Sequence, residues 1–247
     1  MPTSVSSNNL RVEDLTVVYR GLPALSSVSL QVAAGKIVAV LGANGAGKTT
    51  LLKAISGSVK PTHGRVFLGE DRIDGLPAYQ VARRGVHHLP EARGLFRDLS
   101  LRENLALAAN VLPSREVNER LPVILARFPM LAERASVPTS TLSGGQQQVL
   151  AIARALLVKP RLLLVDELSF GLAPMLANQA FDLLAALNRE LGSSVLLVEQ
   201  NVGRALRVCS YAYVLKNGVL AMQGDPESLL SDRRLLYSYL GAEVPVH

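Results

Sequence analysis

The sequence has few of the features that mark secreted or membrane-embedded proteins. A single cysteine, Cys209, has no partner for an internal disulfide, as is usual in the reducing cytosol, and we interpret it as a small buried apolar residue. There is no run of 18 uncharged apolar residues, which argues against a membrane-spanning helix. The first residues, MPTSVSSNNL, lack the basic start and apolar run of a secretion signal, and we expect them to be a short disordered lead-in.

Blocks of like charge are also missing. The formal net charge is +6, yet the basic residues are scattered, with only pairs such as Arg83–Arg84 and no interleaved aromatic residues. A solvated surface is the default interpretation of such charges, and no nucleic acid partner is expected.

What the 247 residues do contain is an alternation of short apolar runs and helical patterns. Segments 11–19 and 25–32 alternate like antiparallel strands, whereas KIVAVLG, RLLLVD and SSVLLVE are continuous apolar runs typical of buried parallel strands. From about 95 to 148 the spacing is helical instead. This pattern predicts one domain over 1–247, with an α/β core at about 11–94 and 149–240, a mostly parallel sheet and a helical insert at about 95–148.

The stretch GANGAGKTT fits the pattern G-x-x-x-x-G-K-[S/T] between an apolar strand and a predicted helix. Its glycines let backbone N–H groups converge on phosphate oxygens at a helix N-terminus, which is partly positive. Lys48 is predicted to reach the terminal phosphates and Thr49 to offer its hydroxyl to Mg²⁺. A chance glycine turn is a poor alternative in this context. The predicted nucleotide-binding residues here are Gly42, Ala43, Asn44, Gly45, Ala46, Gly47, Lys48, Thr49 and Thr50.

Two acidic residues end the apolar run RLLLVDE. Asp166 is predicted to hold Mg²⁺ through water, and Glu167 to polarise the water that attacks the phosphate. An acidic pair alone would be read as a solvated strand end, but a phosphate loop upstream favours the catalytic reading.

A second glycine stretch, TLSGGQQQVL, opens another helix. Ser143, Gly144, Gly145 and Gln146 form a further potential anion site at a helix start, without a lysine or a magnesium ligand of its own. This predicts a half-site that completes the nucleotide site of another subunit. A plain serine N-cap is the alternative, and it explains the serine but not the two glycines.

The three motifs, GANGAGKTT, LSGGQQQ and LLLVDE in this order, resemble those of the ABC transporter ATPase family over about residues 11–240. The resemblance implies a P-loop NTPase fold with an antiparallel β subdomain and a helical subdomain that receives a short helix from a membrane subunit. It also implies ATP and Mg²⁺ as cofactors, sandwiched between two ATPase subunits, each facing the other's LSGGQ motif. Tyr19 matches the family's adenine-stacking aromatic residue, although a core aromatic is the alternative for it.

The chain departs from the family pattern at three positions. Glu91 stands where glutamine is usual and remains a predicted Mg²⁺ ligand; Ala173 stands where aspartate is usual. Gln200 stands where histidine is usual and is a predicted catalytic residue, because its amide can still hydrogen-bond near the γ-phosphate. None of the histidines replaces the missing one: they are His63, His87, His88 and His247. Adjacent strand residues face opposite ways, so His87 and His88 are not expected to bind a metal together.

With PE-R-LF, GLAP and LLVEQN, these departures resemble the shorter ATPase of branched-chain amino acid importers; urea and amide importers have similar ATPases. The implied partners are two membrane-spanning permease subunits, a second ATPase (a sister chain or another copy) and, indirectly, a periplasmic or extracellular solute-binding protein. The implied location is the cytoplasmic face of the membrane. A chromosome-maintenance ATPase would need a coiled-coil heptad run between the glycine motifs, which is missing, and a regulatory ATPase would be expected to carry tandem cassettes or extra domains.

Overall fold

In the computed structural model, residues 9–232 are described. Their strands are β1 (Leu10–Tyr19), β2 (Leu22–Val32), β3 (Ile37–Leu41), β4 (His63–Leu68), β5 (Asp71–Arg72), β6 (Val86–Leu89), β7 (Leu162–Asp166), β8 (Ser194–Glu199), β9 (Tyr211–Lys216) and β10 (Val219–Gly224). Their helices are α1 (Lys48–Ile55), α2 (Ala78–Arg83), α3 (Leu101–Ala109), α4 (Ser114–Arg127), α5 (Pro129–Glu133), α6 (Gly144–Val158), α7 (Pro174–Leu191), α8 (Val202–Val208) and α9 (Pro226–Ser231).

The strands form two sheets. A four-stranded antiparallel sheet has the order β2-β1-β4-β5, and a six-stranded sheet has the order β10-β9-β3-β8-β7-β6. Within the larger sheet every pair is parallel except β9 with β10. The predicted α/β fold, with a mostly parallel sheet and an antiparallel strand pair beside it, is confirmed.

The larger sheet is covered on both faces, which explains the continuous apolar runs of its central strands. All residues of β3, β7 and β8 are buried. Along β3, Ala39 and Leu41 join a core with the helical side of the molecule, including α3, α6, α7 and α8. Val38 and Val40 join a second core with α1 and the antiparallel sheet. Central parallel strands that are covered on both faces have no solvent-exposed side, so their residues are mostly apolar.

Helix α6 runs across the predicted boundary between 148 and 149. Its N-terminus carries the second glycine motif, while its later residues, from Leu150 to Val158, are mostly buried in the main core. The helix is therefore shared between the helical insert, which contains α3 to α5, and the α/β core. The predicted boundary therefore falls inside a helix, which ends at Val158 with Lys159 as its C-cap.

Two elements at the sheet edges were not predicted. Strand β10 alternates between exposed and half-buried residues, and β5 has only two residues. Helix α9 begins as predicted, with the Asp225 carboxylate accepting a hydrogen bond from the Ser228 N–H at 2.9 Å. The rest of that predicted helix and the lead-in at 1–8 lie outside the described residues. Over residues 9–232, no helix has the length and apolar character needed to cross a membrane.

Candidate functional site

The first glycine stretch forms the loop between β3 and α1. At Gly47, φ is +108° and a Cβ would lie 2.7 Å from the Ala24 carbonyl oxygen; at Gly42 a Cβ would lie 2.5 Å from the Leu215 carbonyl oxygen. No side chain fits at either position. Gly47 is the N-cap of α1 and offers no side-chain cap, so the first N–H groups of the helix remain available to an anion.

This loop borders a cavity of about 390 Å³. Tyr19, at the end of β1 and 42% exposed, contributes to its wall together with Glu91 from the segment after β6. Gly42, Ala43 and Ala46 are not part of this wall. The complete lining is Tyr19, Ala24, Asn44, Gly45, Gly47, Lys48, Thr49, Thr50, Glu91, Glu167 and Phe170.

The Lys48 side chain is buried and links the loop to the acidic pair. Its ammonium nitrogen lies 3.0 Å from the Gly42 carbonyl oxygen, 3.1 Å from the Ala43 carbonyl oxygen and 3.1 Å from Glu167 Oε1. Because β8 lies between β3 and β7, Lys48, the first residue of α1 after the β3 loop, reaches across one strand to Glu167. The sequence predicted Lys48 at the start of a helix and Glu167 at a strand end, but not this direct contact.

Asp166 ends β7 and accepts a hydrogen bond from the Thr49 hydroxyl at 3.3 Å. Burial raises the pKa of Asp166 to about 6; the Thr49 hydrogen bond opposes the rise, and the neighbouring Glu167 and Glu91 carboxylates add to it. Both carboxylates thus repel ionised Asp166, Lys48 partly offsets them, and a divalent cation would relieve the repulsion.

In the described part of the chain, no group of three or more histidine, cysteine, aspartate or glutamate side chains is arranged to hold a metal ion without help. This includes His87 and His88. A cation beside Asp166 would therefore need other ligands. That fits Mg²⁺, which keeps several waters and usually binds through one or two carboxylates plus the phosphates of a substrate.

The backbone at Glu167 is in the left-handed region, with φ of +46°. Its N–H donates to the Val198 carbonyl oxygen at 3.0 Å, and its carbonyl accepts from the Phe170 N–H at 3.0 Å. A non-glycine residue rarely adopts this conformation, which costs about 1–3 kcal/mol, and such residues cluster at functional sites. Here it lets the chain turn sharply after β7 and puts the Glu167 carboxylate beside Lys48.

Glu199 is a buried carboxylate that the sequence analysis did not single out. Its oxygens accept hydrogen bonds from the N–H and hydroxyl of Ser169, at 3.0 and 3.1 Å, and from the N–H groups of Gln200 and Asn201. Burial raises the pKa of Glu199, against the effect of these hydrogen bonds. Glu199 thereby joins the loop after Glu167 to the end of β8.

Gln200 lies at that end of β8 with its side chain exposed and outside the lining of the cavity. Its proposed hydrogen bond to a phosphate or a water stays a prediction.

The second glycine stretch lies apart from the first cavity, with no lining residue in common. Ser143 caps α6: its hydroxyl accepts from the Gln146 N–H at 3.3 Å, and the Gln146 side chain accepts from the Ser143 N–H at 3.0 Å. A Cβ on Gly145 would lie 3.1 Å from Leu176, so packing accounts for this glycine, whereas Gly144 has more room. Ser143, Gly145 and Gln146 border a separate cavity of about 280 Å³ between α6 and α7.

Ala24 and Phe170 are cavity residues that the sequence analysis missed. Neither follows a recognisable motif. The signal for Phe170 is its position three residues after Glu167 as a large apolar side chain that remains 58% exposed. An exposed aromatic residue beside a polar cavity is a reasonable ligand contact.

The protein has a glycine loop between a buried parallel strand and a helix. A lysine and a hydroxyl of this segment contact the acidic pair beside one cavity, and this combination defines a P-loop nucleotide-binding protein. Residues 25–169 match the ABC transporter family, and the chain belongs to this family. Its members hydrolyse ATP, and this chain is an ATPase.

Its relatives include several named transport proteins. The high-affinity branched-chain amino acid transport ATP-binding protein BraG of Pseudomonas aeruginosa is 40% identical over 94% of this chain and 99% of its own length. A probable branched-chain amino acid transport ATP-binding protein, LivF of Archaeoglobus fulgidus, is 38% identical over 91% and 95%. The lipopolysaccharide export system ATP-binding protein LptB of Escherichia coli K12 is 34% identical over 95% and 98%.

Solved structures with the same fold agree. The ADP conformation of MJ1267, an ATP-binding cassette of an ABC transporter, superposes with a TM-score of 0.81 at 26% identity, covering 92% of this chain and 96% of the other. The dimeric post-hydrolysis state of the cassette MJ0796, bound to ADP and Pi, gives 0.77 at 27% identity over 88% and 98%.

Proposed function

We propose that this chain is the ATP-hydrolysing subunit of an importer for branched-chain amino acids, bound peripherally at the cytoplasmic face of the membrane. The observation that carries the enzymatic part is that Lys48, Thr49, Glu91 and Glu167 line one cavity. Asp166 joins them through its hydrogen bond from Thr49. The similarity to BraG and LivF, together with Glu91 and Gln200 in place of the usual residues, supports the solute.

In this proposal the loop from Gly42 to Thr50 holds the phosphates of ATP and Tyr19 stacks on the adenine. The exposed ring of Tyr19 on the cavity wall is free to make that contact. Lys48 first has to leave Glu167 and the carbonyl oxygens of Gly42 and Ala43. Nucleotide binding thus releases the Glu167 carboxylate from its ion pair.

Thr49, Asp166 and Glu91 are the residues proposed to hold Mg²⁺. When bound, this ion neutralises charge on the phosphates. Burial and the neighbouring carboxylates raise the pKa of Asp166 despite the opposing effects of Thr49 and Lys48, and this supports a role as a cation ligand. The Thr49 hydroxyl, 3.3 Å from Asp166, brings a second oxygen to the same place.

Glu167 is proposed to accept a proton from the attacking water. Its backbone conformation directs the carboxylate towards the cavity, where it contacts Lys48. Gln200 follows β8, and its N–H donates to the Glu199 carboxylate. It is proposed to hold the water or the γ-phosphate by neutral hydrogen bonds once a partner subunit closes over the site.

Ser143, Gly144, Gly145 and Gln146 are proposed to bind the ATP of a second ATPase subunit, either a sister chain or another copy. These residues lie apart from the first cavity of the same chain, which supports binding to the ATP of a partner rather than to the chain's own. The dimeric structure of the related cassette MJ0796 supports it as well.

Two membrane-spanning permease subunits are proposed to dock on the helical insert, with a solute-binding protein acting through them. Large apolar side chains are exposed on and beside α3: Phe96 is 54% exposed, Leu107 38% and Val111 43%. Exposed apolar side chains in this segment support a protein contact at the helical insert.

The enzymatic proposal is tested with Glu167→Gln. The amide keeps the shape of the side chain but cannot accept the proton, so hydrolysis should fall by roughly 10²-fold or more while ATP binding persists. Glu70→Gln, which removes the same charge at an exposed position, is the control. Near-normal turnover in Glu167→Gln would show that another group activates the water.

The solute is tested by reconstituting the chain with its permeases and binding protein in liposomes. ATP hydrolysis should rise when the binding protein carries leucine, isoleucine or valine, and not with urea or short amides. Stimulation by urea or an amide would instead assign the chain to the related urea and amide importers. Hydrolysis stimulated by lipopolysaccharide would assign it to export, as for the LptB relatives.

A further inference from the structure

Arg93 occupies an unusual position that the proposed chemistry does not use. It lies two residues after Glu91 and adopts a left-handed backbone, with φ of +62°. Its N–H donates to the Pro90 carbonyl oxygen at 2.8 Å, which closes a tight turn around Glu91. Glu91 lines the nucleotide cavity, whereas Arg93 is not among the lining residues.

The guanidinium of Arg93 contacts two other parts of the molecule. Its Nε donates to Gln148 Oε1 and its Nη1 to Gln147 Oε1, both at 3.2 Å, and its Nη2 donates to the Phe170 carbonyl oxygen at 3.4 Å. Gln147 in turn donates to the carbonyl oxygens of Thr139 and Leu142, at the entrance to α6. One side chain thus joins the Glu91 turn, the start of α6 and the loop after Glu167.

This arrangement is poorly explained as a stabilising ion pair. The three acceptors are neutral oxygens, and partial burial lowers the pKa of Arg93, with a smaller effect from the nearby charge of Arg97. A second arginine reinforces the same connection, because Arg154 of α6 donates to the Gly94 carbonyl oxygen. Arginine suits such a place, since its rigid fork can serve three acceptors at once.

We propose that Arg93 is a positioning residue that couples the Glu91 turn to the signature end of α6 and to the loop following Glu167. A shift of α6, whose N-cap is Ser143, then moves Glu91 and the Phe170 loop together. The inference rests on the proposed role of Glu91 as a magnesium ligand. It adds that the placement of Glu91 depends on the signature helix of the same chain.

Hydrogen exchange on the nucleotide-free protein tests the coupling without relying on activity. Arg93→Ala should speed exchange in residues 90–96 and 143–148, and leave β3 and α1 unchanged. Arg93→Lys should behave like Arg93→Ala, because an ammonium cannot reach three separated oxygens. The control is Arg102→Ala, an exposed arginine on α3. Unchanged exchange in Arg93→Ala, or full restoration by lysine, would overturn the proposal.

A kinetic cycle with Glu91→Ala tests the functional consequence. Arg93→Ala alone should lower kcat by about tenfold and raise the Mg²⁺ concentration needed for half-maximal hydrolysis, with ATP affinity unchanged. In the Glu91→Ala background it should cause no further loss of kcat. An equal loss in both backgrounds would refute the action through Glu91. The proposed role of Glu91 as a Mg²⁺ ligand would be contradicted by a different result, namely an unaltered Mg²⁺ requirement in Glu91→Ala.

Discussion

Acid should destabilise this protein through His87 and His88, neighbouring residues of β6 that are both partly buried. Burial lowers the pKa of each to about 4; Arg154 and His88 add to the effect at His87, and Lys53 adds to it at His88. Arg154 belongs to α6 and Lys53 to α1, so the two rings face opposite sides of the sheet. Among the described residues, His88 Nε2 is buried without a hydrogen-bond partner.

The direction and the magnitude of this change in stability follow from proton binding. Unfolded histidines bind protons near pH 6.5, whereas the folded ones do so near pH 4, so the unfolded state gains protons first as the pH falls. The free energy of unfolding is therefore unaffected by protonation of these histidines above pH 6.5, and it decreases as the pH falls from 6.5 to 4. At pH 5 the full loss is about 2 kcal/mol for each histidine, and partial contact with water reduces this to about 1–2 kcal/mol.

The measurement is urea unfolding at pH 7.5 and pH 5.0 for the parent and for His88→Gln and His87→Gln. Each variant should lose about 1–2 kcal/mol less than the parent between the two pH values, whatever its stability at pH 7.5. His63→Gln, at an exposed position of β4, is the matched control. If His88→Gln and the parent lose the same stability, neutral burial of this ring is not what makes the protein acid-sensitive.

Three further predictions concern the nucleotide site. Lys48→Ala should weaken binding of a fluorescent ATP analogue by about 10- to 100-fold, the value of a charged hydrogen bond, and unchanged affinity would exclude the phosphate-loop assignment. Ser143→Arg should abolish hydrolysis while dilute monomers still bind ATP; joint loss of both would contradict the two-subunit site. Gln200→Ala should slow hydrolysis less than Glu167→Gln does, and Gln200→His should introduce a pH dependence near pH 6–7. Identical pH–rate profiles and full activity in the alanine variant would place Gln200 outside the site.

Local sequence was sufficient for the elements with strong patterns. The continuous apolar runs predicted β3, β7 and β8, and the glycine spacing before Lys48 predicted a loop where the structure allows no Cβ at Gly42 or Gly47. The apolar runs and the glycine spacing are local patterns, whereas the contacts that exclude a Cβ at Gly42 and Gly47 are with the distant residues Leu215 and Ala24. Local patterns of this kind are sufficient to predict that a strand or a glycine turn forms.

Side-chain partners depended on long-range packing instead. Thr49 and Asp166 are 117 positions apart, and their hydrogen bond exists because β8 separates β3 from β7 by one strand. The contacts of Arg93 with Gln147, Gln148 and Phe170 likewise join three distant segments. The spacing of apolar residues along the sequence does not determine the order of strands in a sheet, nor which loops come into contact. Strand β10 escaped prediction for the same reason, since a weakly buried edge strand is held by its pairing with β9 rather than by a pattern of its own.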